Sequence, residues 1–113
     1  MKKENITIDD FMKIDVRVGL VTEAVPVPDS KKLIRLTVDL GTDYGFVTIL
    51  TGMLPFFPDP NVLAGKKYLF LANLAPRKMA GIESQGMFLA ADGTPTPHLI
   101  HMPDDTPLGA YVH

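Results

Sequence analysis

Residues 15–25 read DVRVGLVTEAV. Apolar and polar residues alternate through this run, the pattern of a half-buried β-strand. On that reading Val16, Val18, Leu20 and Ala24 share one face, and Arg17 and Glu23 share the other. Gly19 interrupts the run, and a glycine inside a strand marks a bulge or a sharp bend. Upstream, Thr7 is placed to cap one or two helical turns over Asp9 to Lys13. Downstream, PVPDSK reads as a turn and LIRLTVDL as a second strand. There Ile34, Leu36, Val38 and Leu40 point inward, and Arg35, Thr37 and Asp39 outward.

GTDYG is a further turn, and FVTILTG a third strand. PFFPDPNVLAG is a proline-rich connection with a short helix near Asn61 to Leu63. KKYLFLA is a fourth strand and MFLAA a fifth. Residues 92–113 form a C-terminal extension with room for one or two short strands, and residues 1–7 a flexible start. No internal repeat or low-complexity segment appears. Five strands in one domain of 113 residues, with a bent first strand and a long third connection, predict an all-β fold. The expected architecture is a five-stranded OB-fold Greek-key barrel with a short N-terminal helix and a C-terminal extension. Periodicity by itself does not separate it from another five- or six-stranded barrel or sandwich.

Composition narrows the chemistry. Hydrophobic residues make up 46% and charged residues 21%, enough apolar content to bury a core. There is no cysteine, which excludes disulfides, thiolate nucleophiles and thiolate zinc sites and favours a cytoplasmic setting. No apolar run reaches the ~20 residues a membrane span needs. The start MKKENITIDD has no apolar segment behind its lysines, so no signal peptide is expected. Net charge is −2, yet Lys31, Lys32, Arg35, Lys66, Lys67, Arg77 and Lys78 fall in two short windows. An acidic chain can carry one basic face.

The stretch ANLAPRKMAGIESQGM, residues 72–87, fits no catalytic template. A nucleophile elbow needs G-x-S-x-G, and Ile82 stands where the first glycine belongs before Ser84. Gly81 and Gly86 have the spacing of a nucleotide-triphosphate loop, but Met87 and Phe88 follow instead of Lys and Ser or Thr. His98 and His101, three apart on a strand, point to opposite faces and share no metal. No catalytic constellation, cofactor or metal is expected.

Binding is better supported. In an OB barrel the second and third strands and the loops joining strands one to two and four to five form the binding surface. Those loops are PVPDSKK and NLAPRKMAGIESQG, so both basic windows are expected on one side. Lys31, Lys32, Arg35, Arg77 and Lys78 supply charge for phosphates. Asn73, Ser84 and Gln85 supply hydrogen bonds, and Met87 a soft apolar contact. Tyr44 and Phe46 either stack bases or fill the barrel.

FMKIDVRVGLV, KKLIRLTVDLG and ANLAPRKMAGIESQGMFLAA, in this order and spacing, resemble the tRNA-binding domain family. That family includes the C-terminal domain of bacterial methionyl-tRNA synthetases, free-standing structure-specific tRNA-binding proteins and the endothelial-monocyte-activating polypeptide module. The resemblance runs from about Ile8 to Val112 and is most specific at its start. It implies non-catalytic tRNA binding by shape. The family's Asp-Lys-Leu signature falls on Lys31, Lys32 and Leu33, with Lys31 replacing the acid. Asn73 matches the asparagine that follows the fourth strand, and Ser84, Gly86 and Met87 match Ser-x-Gly-Met. Arg77 and Lys78 match the basic positions, while Thr51-Gly52 stands for the usual Ser-Gly. The resemblance also implies a homodimer, for which the apolar tail of Leu99, Ile100, Met102, Pro103, Leu108 and Val112 is suited. A methionyl-tRNA synthetase catalytic region is a further implied partner. A secretion-chaperone branch of similar fold implies peptide binding instead, but it departs from the Ser-x-Gly-Met signature kept here.

Overall fold

The barrel turns on the first strand. In the computed structural model, which describes residues 1–113, β1 runs Val16–Pro26. Its first half pairs antiparallel with β4 (Lys67–Leu71), from Val16↔Leu71 to Leu20↔Lys67. Its second half pairs antiparallel with β2 (Ile34–Asp39), from Leu20↔Asp39 to Pro26↔Ile34. The register with β2 slips between Val21 and Glu23, so a bulge bends the strand just after it changes partners.

Gly19 does something else. A Cβ there would lie 2.7 Å from Val38 Cγ1, 2.8 Å from Leu40 Cδ2 and 2.9 Å from Phe70 Cδ2. It faces the interior at its tightest point, and only a residue without a side chain fits. The inward face therefore carries Gly19, Val21 and, beyond the bulge, Ala24, with Arg17 on the same parity. This corrects the alternation read from the sequence, which grouped Ala24 with Val16, Val18 and Leu20, and Arg17 with Glu23; the bulge between Val21 and Glu23 separates both sets. Val16, Val18 and Leu20 face out, and Val18 is buried because the C-terminal extension covers it. Gly109 N–H donates to the Val18 carbonyl (2.8 Å), and Val18 N–H donates to the Ala110 carbonyl (3.1 Å).

The remaining strands follow the expected pattern. Ile34, Leu36, Val38 and Leu40 are fully buried. β3 (Phe46–Thr51) pairs with β2 and turns Val47 and Ile49 inward. β4 contributes Tyr68 and Phe70, and Leu63 of the 3₁₀ turn Pro60–Leu63 joins the same core. The fourth barrel connection, expected as a loop, folds into a hairpin of β5 (Arg77–Met79) and β6 (Ile82–Ser84). Then β7 (Met87–Phe88) pairs with β4 and stacks Phe88 on Phe70. The barrel order is β3-β2-β1-β4-β7, the five-stranded OB barrel expected from the sequence.

Backbone and side-chain bonds of Ser84 and Gln85 make the last seam. Gln85 N–H donates to the Thr48 carbonyl (2.8 Å), and Gln85 Oε1 accepts Thr48 N–H (3.1 Å). Ser84 Oγ accepts Leu50 N–H at 3.0 Å. The extension then pairs β8 (Ala90–Ala91) with β9 (His98–Leu99) and lays β10 (Tyr111–Val112) beside the start of β1. Lys67 Nζ donates to the carbonyls of Asp104 (2.6 Å) and Thr106 (2.7 Å), pinning the extension to β4. At the other terminus α1 (Ile8–Met12) starts at a capping box, in which Thr7 and Asp10 exchange hydrogen bonds, and buries none of its residues.

Candidate nucleic-acid interface

The loop between β1 and β2 is held by its own backbone. Val27 N–H donates to the Leu33 carbonyl (3.0 Å), and Ser30 Oγ accepts N–H bonds from Lys32 (3.3 Å) and Leu33 (3.1 Å). A serine bonding the backbone two and three residues on is a turn device, and it leaves Lys31 and Lys32 exposed at the tip. Arg35 follows as the first outward residue of β2, opposite Val25 on one side and Leu50 on the other. Its one charged contact is Glu23 Oε1 at 3.4 Å, with both side chains about half exposed. Such a pair contributes little.

The β5–β6 hairpin faces this loop. Ala80 and Gly81, at φ 50° and 76°, form a two-residue turn of the kind whose twist suits a hairpin. Arg77 lies opposite Ser84, and Lys78 opposite Glu83. Because Ser84 also bonds Leu50, one lateral row runs Arg35, Leu50, Ser84, Arg77. Lys31, Lys32, Arg77 and Lys78 are exposed and make no salt bridge. A cleft of about 180 Å³ between the loop and the hairpin is lined by Val25, Pro26, Val27, Pro28, Arg35 and Ile82.

The structure distributes the other expected residues differently. Lys66 and Lys67 sit at the start of β4, a strand's length from Arg77, and Lys67 is committed to the extension. The basic rim therefore holds five of the seven windowed cations. Ser84 is buried and spends its hydroxyl on barrel closure. Gln85 is exposed, with its amide oxygen on Thr48. Met87 is 38% exposed on β7. Asn73 is exposed, but its amide clips two backbones: Oδ1 accepts Asp15 N–H (2.9 Å) and Nδ2 donates to the Lys13 carbonyl (2.6 Å). Tyr44 and Phe46 separate cleanly. Phe46 stands 66% exposed on the outer sheet face, whereas Tyr44 packs against the core and donates its hydroxyl to Asp15 Oδ2 at 2.5 Å.

Sequence reading missed the corner to which Tyr44 belongs. Arg17 is 5% exposed. Its Nε bonds Asp15 Oδ1 (2.6 Å), and its Nη1 bonds Asp43 Oδ2 (2.9 Å) and the Gly109 carbonyl (3.1 Å). Its guanidinium carbon sits 3.9 Å from the ring centre of Tyr111. The Arg17 hydrogen bond holds the Asp15 carboxyl below its ordinary range despite burial. The bond to Asp15, with burial behind it, pushes the Tyr44 phenol up. The only signal in the sequence was the specificity of FMKIDVRVGLV, which carried no role. Between this corner and α1 lies a cavity of about 580 Å³, lined in part by Phe11, Met12, Ile14, Arg17, Asn73 and Tyr111. No three His, Asp or Glu side chains converge as a metal site, and no helix is long and apolar enough to cross a membrane.

Similarity to known proteins agrees with the geometry. Residues 16–111 match the family model described as "Putative tRNA binding domain". The methionine–tRNA ligase of Thermotoga maritima is 46% identical over 107 residues, which is 95% of this chain and 16% of that protein. The chain thus spans under a fifth of the length of that relative. A crystal structure of a MetRS related protein from Pyrococcus horikoshii superposes with a TM-score of 0.90 at 41% identity, covering 98% of this chain and 100% of that one. The CsaA chaperone protein from Picrophilus torridus superposes with a TM-score of 0.85 at 25% identity, covering 96% and 100%. With an OB barrel and this match over residues 16–111, the chain belongs to the tRNA-binding domain family.

Proposed function

We propose that the chain binds tRNA without catalysing a reaction, by docking its basic rim on the RNA backbone. One observation carries this reading. Lys31, Lys32, Arg35, Arg77 and Lys78 converge on one rim with no strong internal acceptor. Charges left free in this way are available to phosphates, and phosphate contact gives affinity that depends on fold and not on base sequence. Gln85, Met87 and Phe46 extend the surface along the outer face, while Ser84 and Asn73 hold the hairpin and the first strand in place. The setting is cytoplasmic protein synthesis, as a free protein or joined to a methionyl-tRNA synthetase catalytic region.

The chain acts as a homodimer in this reading. A five-residue helix is too short to persist alone, yet α1 keeps Ile8, Phe11 and Met12 exposed, and Ile6, Ile14 and Tyr111 are exposed beside it. A second copy is the occupant that makes the helix worth forming. Of the tail residues, Leu99, Met102, Leu108 and Val112 are half-buried on their own barrel while Ile100 and Pro103 stay exposed, so the contact joins α1 and β10 with that part of the tail. Light scattering at micromolar concentration should give twice the chain mass of 12.4 kDa, and Phe11→Asp should return it to one. A monomer mass for the parent chain rules the dimer out.

Peptide binding is the second reading, favoured by the likeness to the CsaA chaperone protein. A salt titration with bulk tRNA separates the two. An RNA binder loses affinity steeply as salt rises, whereas a peptide binder responds to apolar substitutions and little to salt.

A further inference from the structure

Phosphate contact leaves the cleft between the β1–β2 loop and the hairpin unexplained. Its walls are Val25, Pro26, Val27 and Pro28 on one side and Ile82 on the other. Arg35 lines it too, with a side chain 44% exposed and only the long contact to Glu23. The volume of about 180 Å³ is below the ~300 Å³ at which pockets take drug-sized ligands, so it has room for one ring system. A phosphate alone gains nothing from apolar walls. An apolar peptide side chain gains nothing from Lys31, Lys32, Arg77 and Lys78 around the opening. A nucleotide has both parts, a flat apolar base and an anion beside it. Bases within a duplex stay stacked, whereas bases of loops and bulges splay out and stack on apolar side chains or guanidinium planes.

We propose that this cleft takes one unpaired nucleotide of the bound RNA. Its base sits between Pro26, Pro28 and Ile82, the Arg35 guanidinium stacks on it, and the flanking phosphates lie on the rim cations. The inference rests on the RNA-binding reading and adds to it a preference for unpaired over duplex nucleotides.

The test uses the full chain and fluorescence anisotropy with two RNAs of equal length, a stem–loop and a blunt duplex, each titrated with salt. Ile82→Ser should weaken the stem–loop about tenfold, the scale of losing one base stack, without altering the salt slope. The duplex should be unaffected. Equal weakening of both RNAs would mean that Ile82 only holds the hairpin, and weakening of neither would mean that the cleft stays empty; either result overturns the proposal. Arg35→Lys keeps the charge at an exposed site and so keeps the fold. It should weaken the stem–loop several-fold at constant slope, and parent-like affinity would overturn the stacking role. If the parent chain binds neither RNA in a salt-dependent way but binds an apolar peptide that Ile82→Ser releases, the RNA-binding reading itself has failed.

Discussion

Arg17 on β1 and Arg35 on β2 stand on neighbouring strands of one barrel. Arg17 meets two carboxylates, a carbonyl and an aromatic face, and is buried among them. Arg35 meets one carboxylate at 3.4 Å and remains in solvent. In the sequence both are arginines in alternating runs, DVRV and LIRL. The difference lies in acceptors that come from elsewhere in the chain, Asp43 and Gly109 at close range for Arg17 and only the exposed Glu23, at 3.4 Å, for Arg35. A satisfied cation builds the fold, and an unsatisfied one is left for a ligand. The same division separates Lys67, which holds the extension, from Lys78, which has no acidic partner.

The largest effect that would break this contrast is on stability. Arg17→Met should cost about 2 kcal/mol in chemical denaturation, because it removes the buried guanidinium that bonds the half-buried Asp15, on which the Tyr44 hydroxyl leans. A loss below about 1 kcal/mol would mean that the network is not structural. Gly19→Ala should cost roughly 1–3 kcal/mol, since the added methyl meets three buried side chains. Ser84→Ala tests the link between the two regions. It leaves Leu50 N–H unsatisfied and should cost about 1–3 kcal/mol while loosening the hairpin that carries Arg77 and Lys78.

Acid should act on the corner and spare the rim. Asp15 titrates lower in the folded chain than its ordinary 3.8, so the unfolded chain takes up its proton first as pH falls. The stabilisation is complete above that ordinary value and is lost as pH drops through the folded one. Denaturation midpoints measured from pH 6 downward should show this loss in the parent chain and less of it in Arg17→Met. The smallest effect on stability belongs to the rim. Arg77→Ala and Lys78→Ala should each change unfolding free energy by less than about 0.5 kcal/mol, checked by the same denaturation curves.

How far the sequence could be read follows the same line. The second strand was legible because every second residue from Ile34 to Leu40 is aliphatic and buried. The first was misread because its interior positions hold a glycine and an arginine, whose fitness depends on Phe70, Leu40 and Asp43, remote in sequence. The exposure of Lys31, Lys32, Arg77 and Lys78 was legible because these cations fall in the first and fourth barrel connections, outside the alternating strands that fill the core. The hairpin within the second loop was not, because three-residue strands are too short to show a period. Ser84 looked like a surface donor because nothing local reveals that Leu50 N–H needs it.

The most direct test of the account is a salt titration of binding to bulk tRNA, with unstructured RNA as the comparison. If the five rim cations meet phosphates, the log–log slope should be about −4.5, and Lys78→Ala should reduce it by about one for all tRNAs alike. Affinity that ignores salt, or tRNA bound no better than unstructured RNA, would contradict it.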